Sequence, residues 1–219
     1  MEPTPGVAEN FLLVKIGKLS HLQALVDKGE LYMNPMGYFR QVEEDRQRRD
    51  SSEGIDQIAQ LTSLRIKIGD KEINFGELGN FNGQVRRDGE KKGNVYCMFA
   101  LASEMIHPEN KVDSRLTEFG DHFVLIRNTP EFFSRVDAAF GKLGRAYEGN
   151  IVKYYDEKGY SGELDVFCKP DSFKHQNEFR FFTGSTDDQA FTLNIGSIRD
   201  IATIMEVENL TIMTAEPVE

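Results

Sequence analysis

Apolar residues fall along this chain in short runs of strand length, separated by turn formers and by a few stretches of helical spacing. Residues 11–16 form an apolar run broken only by Lys15, which predicts a strand. Ser20 has the chemistry of an N-cap. Leu22, Leu25 and Val26 follow at helical spacing, and Gly29 supplies the stop, so a short helix is expected. Residues 31–33 return as a strand and Asn34-Pro35 reads as a turn. Residues 64–68 and 72–75 alternate around Gly69-Asp70, which predicts a hairpin. Residues 76–93, rich in Gly, Asn and charge, read as a mobile surface loop. The nearly unbroken apolar run 95–101 predicts a central strand, residues 104–118 are irregular, and 122–127 predict a further buried strand. Thr129-Pro130-Glu131 opens a helix whose inner stripe is Phe133, Val136 and Phe140. Residues 151–155, 164–168 and 191–195 predict strands, 198–205 a short helix after Ser197, and 210–213 a closing strand.

The most informative stretch is 171–182, which begins with turn formers and ends as a strand rich in Phe. Alternation puts Phe179 and Phe181 on one face and Glu178 and Arg180 on the other, with Phe182 beyond them. A carboxylate and a guanidinium are thereby fixed to a rigid element, with Lys174 and His175 close to the same edge. The ordinary alternative is a solvent-facing strand whose Glu and Arg pair with neighbours.

These patterns describe one α+β domain over residues 1–219, with loose tails at 1–10 and 214–219. Its sheet is mixed, mainly antiparallel, and accompanied by a few short helices. A content of 39% hydrophobic and 28% charged residues is that of a globular chain. No run reaches the length of a membrane span, and the first residues lack the basic and apolar parts of a secretory signal. Cys97 and Cys168 lie in apparent strands and read as buried thiols, so a cytoplasmic setting is expected.

Charge changes the picture locally. Seven acidic residues against one basic stand between Asp187 and the C-terminus, so −6 of the net −10 lies there. A broad phosphate-tracking surface does not fit this balance, whereas a local basic groove does. The mixed-charge run 43–50 reads as a solvated face. Its specific alternative is a polar loop in which Arg40 or Arg49 meets an anion beside Tyr38. No Gly-rich phosphate loop, no metal-ligand spacing and no nucleophile elbow is present in the sequence, so no metal is expected. Cys97, inside an apolar strand, reads as inert.

The motifs Asn34-Pro35, Tyr38-Phe39-Arg40, Asp50, Glu53-Gly54, Lys174-His175 and Glu178-Phe179-Arg180 occur in an order that resembles a family of bacterial and phage proteins. More loosely, the opening strand–helix–glycine unit and Gln176-Asn177-Glu178 resemble the layout of ADP-ribosyltransferases, closest to their DNA-targeting toxin branch. That resemblance implies a split sheet, NAD as co-substrate, Glu178 as the catalytic carboxylate, and a nucleic-acid or protein acceptor in phage–host conflict. In the first strand, where many such enzymes carry His or Arg, Lys15 is the only polar residue. Candidate cofactor-binding residues are Lys15, Asn34, Tyr38, Arg40, Lys174, His175 and Arg180.

Cleaving the nicotinamide–ribose bond passes through an oxocarbenium-like centre, which a carboxylate on a rigid strand stabilises. Arg40 or Arg180 would hold the diphosphate, and Tyr38 would stack on the nicotinamide ring. On this reading Glu178→Gln abolishes NAD consumption and leaves the fold intact. A different class of function is a non-catalytic nucleotide- or protein-binding module on the same scaffold, serving phage anti-defence or regulation. The acidic C-terminal segment would then meet a protein partner. A third is nucleic-acid mimicry by that segment.

Overall fold

The computed structural model describes residues 11–41, 52–74, 82–89, 91–102, 105 and 112–213. The expected tails 1–10 and 214–219, the charged run 43–50 with Arg49 and Asp50, and His107 lie outside the described residues. So do Glu216 and Glu219 of the acidic segment.

The chain opens with β1 (Phe11–Gly17), α1 (Leu19–Lys28), β2 (Glu30–Pro35) and α2 (Met36–Gln41). Next come β3 (Ile55–Leu61), β4 (Arg65–Ile68), β5 (Lys71–Asn74), β6 (Gly83–Asp88) and the long β7 (Gly93–Ala102). A 3-10 helix (Ser114–Phe119) leads to β8 (His122–Ile126) and α3 (Thr129–Leu143). After these stand β9 (Glu148–Ile151), β10 (Lys153–Tyr155), β11 (Gly162–Glu163), β12 (Cys168–Pro170) and a second 3-10 helix (Asp171–Gln176). The chain ends with β13 (Glu178–Gly184), β14 (Phe191–Asn194), β15 (Ala202–Glu206) and α4 (Glu208–Thr211). This is an α+β fold, and among the described residues every strand pairing is antiparallel except β10 with β12.

The main sheet runs β14-β2-β7-β1-β8-β15, with β13 paired to β7 and β9. Alternation along β7 divides the core. Tyr96, Met98 and Ala100 face α1 and α3, where Leu22, Leu25, Phe132, Val136 and Phe140 pack with Phe179 and Phe181 of β13. Phe99 and Leu101 face the other side, against Val14, Leu116, Phe123 and Leu210. The expected placement of Phe179 and Phe181 on one apolar face is therefore observed, and the expected inner stripe of α3 gains Phe132. Gly29 ends α1 at φ 69°, and a Cβ there would lie 2.0 Å from the Gly196 carbonyl oxygen, so close approach and conformation both require glycine.

Several expectations are corrected. Helix α1 starts at Leu19 after Lys18, so Ser20 lies inside the first turn and does not cap. Asn34-Pro35 ends β2 as strand, paired to Val95 and Asn94, because a strand's last residue need not donate to the ladder. The loop expected over 76–93 contains β6, which pairs with β3 along Gly83–Asp88. The strand expected over 151–155 is two strands with separate partners, β13 and β12. Of residues 164–168 only Cys168 is strand, the first residue of β12, while 166–167 form a turn. Residues 202–206 are strand and not helix, since the open edge of β8 accepts Ala202–Glu206 and outweighs the helical spacing of Ile198, Ile201 and Met205. The closing strand is instead the one-turn helix α4, whose Leu210 is buried in the second core.

Candidate functional site

The site begins with a split in the sheet. One edge of β7 is claimed by two strands: β1 along Phe99–Ala102 and β2 at Asn94 and Val95. Between them β1 leaves for β8 after Val14, and β2 leaves for β14 before Asn34. Among the described residues, 96–98 of β7 are thus left without a strand partner on that edge. A backbone carbonyl so exposed needs a donor, and Lys15 supplies one: its Nζ lies 2.6 Å from the Cys97 oxygen and 4.3 Å from the centre of the Tyr96 ring.

A cavity of about 680 Å³ occupies the split. Its floor includes Tyr96, Cys97 and Met98, and its apolar walls come from both cores. Lys15, Lys18 and His21 stand on the β1–α1 side, Tyr32, Asn34, Tyr38 and Phe39 on the β2–α2 side, and Lys169, Gln176 and Glu178 at the far edge. Tyr38 is exposed and meets Phe39 edge-on, with ring centres 5.4 Å apart.

Glu178 is aimed by the turn before it. Asn177 adopts φ 32° at the end of the second 3-10 helix, a conformation that Asn tolerates better than most residues. Its amide donates to the Ala100 carbonyl, and its own carbonyl accepts from Ala100 at 2.8 Å. The Glu178 backbone N–H then donates to the Tyr154 hydroxyl at 2.9 Å, and its carbonyl accepts from Val152 at 2.8 Å. The carboxylate is held from two sides, with Arg180 Nε 2.8 Å from Oε1 and Lys169 Nζ 2.9 Å from Oε2. Lys169 also donates to Gln176 at 2.8 Å. Behind them the terminal nitrogens of Arg180 grip Glu53 at 2.8 and 3.1 Å. All four charged side chains are buried.

Two carboxylates and two cations make this cluster neutral. Burial pushes the Glu178 carboxyl up, but the Arg180 and Lys169 charges, with the neighbouring Cys97 thiol, outweigh it. The group lies well below the ordinary carboxylate range and stays ionised. Burial opposes the charge of Lys169 too, but Glu178, with smaller help from Cys97 and Glu53, holds the ammonium above its ordinary value. Cys97 is pushed up to about 12, first by burial and then by Glu178, so it stays a thiol.

Of the residues singled out by sequence, the cavity brings together Lys15, Asn34, Tyr38 and Glu178. It does not include Arg40, Lys174, His175 or Arg180. Arg40 bonds the Glu53 carbonyl and pairs with Asp88 at 2.9 Å. Lys174 is exposed on the 3-10 helix, and His175, half-buried beside it, is driven toward the neutral form by burial and by Arg115. Arg180 lies behind Glu178, 1% exposed, so it fixes the carboxylate and cannot reach a diphosphate. Burial of Glu178 and Arg180 overturns the reading of this face as solvent-facing. Lys169 was missed. Glu53 was visible as part of Glu53-Gly54, but nothing local marks it as the acid that meets Arg180 across 127 positions.

Among the described residues no group of three His, Cys, Asp or Glu is placed to hold a metal ion, and no helix is long and apolar enough to cross a membrane. Compared with protein-family models, curated proteins and solved structures, the chain gives no significant match.

Proposed function

We propose that the split-sheet cavity binds NAD and that Glu178 is the carboxylate at the nicotinamide–ribose bond, so that ADP-ribose passes to a nucleic-acid or protein acceptor. The observation that carries this reading is an ionised carboxylate, anchored on a rigid strand, at the edge of an aromatic and cation-bearing cavity. A volume of about 680 Å³ lies within the usual range of roughly 300–1,000 Å³ for sites of this class. A carboxylate has about four acceptor sites. Arg180 and Lys169 each fill one, which leaves acceptor room for a ribose hydroxyl.

In the proposed reaction the C–N bond breaks and its electron pair leaves with nicotinamide. The positive charge developing on the ribose is stabilised by Glu178. The acceptor's nucleophile then bonds the anomeric carbon and gives up its proton to solvent. Lys15, Lys18 and His21, beside the first turn of α1, hold the diphosphate in place of the arginines expected from sequence. Tyr38 or Tyr32 offers an aromatic face to a ring.

One observation favours a second reading, in which the cleft binds a nucleotide without turning it over: two cations already neutralise Glu178. NAD labelled in its adenosine half, incubated with the protein and cell lysate, separates the two. Label entering nucleic acid or protein, and lost in Glu178→Asp, is the expected result. Binding of NAD with no release of nicotinamide supports the second reading.

A further inference from the structure

We propose that Glu53 is the positioning residue of this site: by occupying both terminal nitrogens of Arg180, it keeps the Glu178 carboxylate open to the cavity. This rests on the reading of Glu178 as the reacting carboxylate. A guanidinium is a planar fork of five donors with no acceptor. In this fork Nε serves Glu178, Nη2 serves Glu53, and Nη1 serves both Glu53 and the Val166 carbonyl. Arg180 therefore meets Glu178 through one nitrogen only.

Without the Glu53 charge the terminal nitrogens would be buried donors short of acceptors, and Glu178 is the carboxylate already within their reach. The fork would turn to grip it through two bonds, the geometry that guanidinium–carboxylate pairs favour. The acceptor room left for a ribose hydroxyl would shrink. The charge balance would change as well, from two carboxylates facing two cations to one. A net positive cluster opposes the positive charge that develops on the ribose.

Glu53 is itself held in place. Its turn precedes β3, its carbonyl accepts from Arg40, and the next carbonyl, Gly54, accepts from Gly89 at 2.8 Å. Arg40 belongs to α2, which carries Tyr38 and Phe39 at the cavity. The same turn thus joins the aromatic side of the cleft to the ionic cluster behind its carboxylate.

Cys97 reports on the cluster without any use of NAD, because it lines the cavity with Glu178 and its thiol feels the charges of Glu178, Arg180 and Lys169. In the full chain carrying Cys168→Ser, the rate of Cys97 alkylation by iodoacetamide is followed against pH for four forms. These are the unsubstituted residue, Glu53→Gln, Arg180→Gln and the double variant. Glu53→Gln should raise the Cys97 rate about tenfold at fixed pH, since each unit of thiol acidity changes the thiolate fraction tenfold. In the Arg180→Gln background the same substitution should change it by less than about twofold, because the fork through which Glu53 acts is gone. Nicotinamide release should fall at least about tenfold in kcat in Glu53→Gln, with KM for NAD within about threefold, and Glu53→Asp should recover most of it. A folded Glu53→Gln protein with unchanged Cys97 rate and kcat overturns the proposal. If that variant does not fold, a change at Cys97 persisting between Arg180→Gln and the double variant overturns it instead. Absence of NAD turnover in the unsubstituted protein refutes the NAD reading, while the Cys97 rates still decide whether Glu53 acts on the cluster through Arg180.

Discussion

The two faces of β13 are built from the same seven residues and solve different problems. On one face Phe179 and Phe181, with ring centres 5.0 Å apart, join Phe132, Phe133 and Tyr147 in an aromatic cluster beneath α3. On the other, Glu178 and Arg180 sit equally deep but are surrounded by charge. Burial of apolar area stabilises the first face whatever fills it, within limits of volume. The second face stabilises only as a complete set, because desolvating each ion offsets most of what its partner returns. An apolar packing would be at least as stable there. That the face is ionic and borders a cavity is what directs attention to it.

Breaking the ionic set should give the largest effect. Glu178→Gln leaves Lys169 and Arg180 facing one carboxylate and should cost about 3–5 kcal/mol of stability, read from urea unfolding at neutral pH. On the aromatic face, Phe181→Leu keeps an apolar side chain and should cost less than about 1.5 kcal/mol by the same measurement. Equal losses in the two variants would mean that the faces do not differ as described.

Acid sharpens the contrast. The folded-state pKa of Glu178 is depressed below the ordinary glutamate value of 4.5, so its contribution is fully present above that pH. It is lost as pH falls from 4.5 toward the lower folded value. The deficit of Glu178→Gln relative to the unsubstituted protein should therefore shrink below pH 4.5, whereas that of Phe181→Leu should stay constant. The smallest effect belongs to the exposed hairpin of β4 and β5. Ile68→Ser there should change stability by less than about 0.5 kcal/mol.

The legible parts of the fold are those with one apolar face and clear punctuation. Leu22, Leu25, Val26 and Gly29 mark α1, and the run through Val95, Phe99 and Leu101 marks β7. The strand β6 was illegible for a physical reason. Gln84, Val85, Arg86 and Arg87 bury little, and Val85 is 53% exposed, so no period-two contrast exists to be read. Residues 202–206 failed differently, since their apolar spacing fits either period and the open edge of β8 decides.

At the site, strand alternation correctly separated Phe179 and Phe181 from Glu178 and Arg180. Alternation carries no measure of depth, and Arg180, a ligand group by that pattern, is a buried support behind Glu178. Lys169 and Glu53 reach the cluster by tertiary packing alone. The sequence marks the strand that carries Glu178 and is silent about what stands behind it.

The central claim, that Glu178 works at the nicotinamide–ribose bond of NAD, is tested most directly by nicotinamide release. The comparison is between the unsubstituted protein and Glu178→Asp, which keeps the charge and withdraws it by one methylene. Thermal unfolding must show both to be folded, and NAD should raise the unfolding temperature of both. The account predicts that the unsubstituted protein releases nicotinamide and that Glu178→Asp does so at least about a hundredfold more slowly. Equal rates in the two proteins, or no release by either, would contradict it.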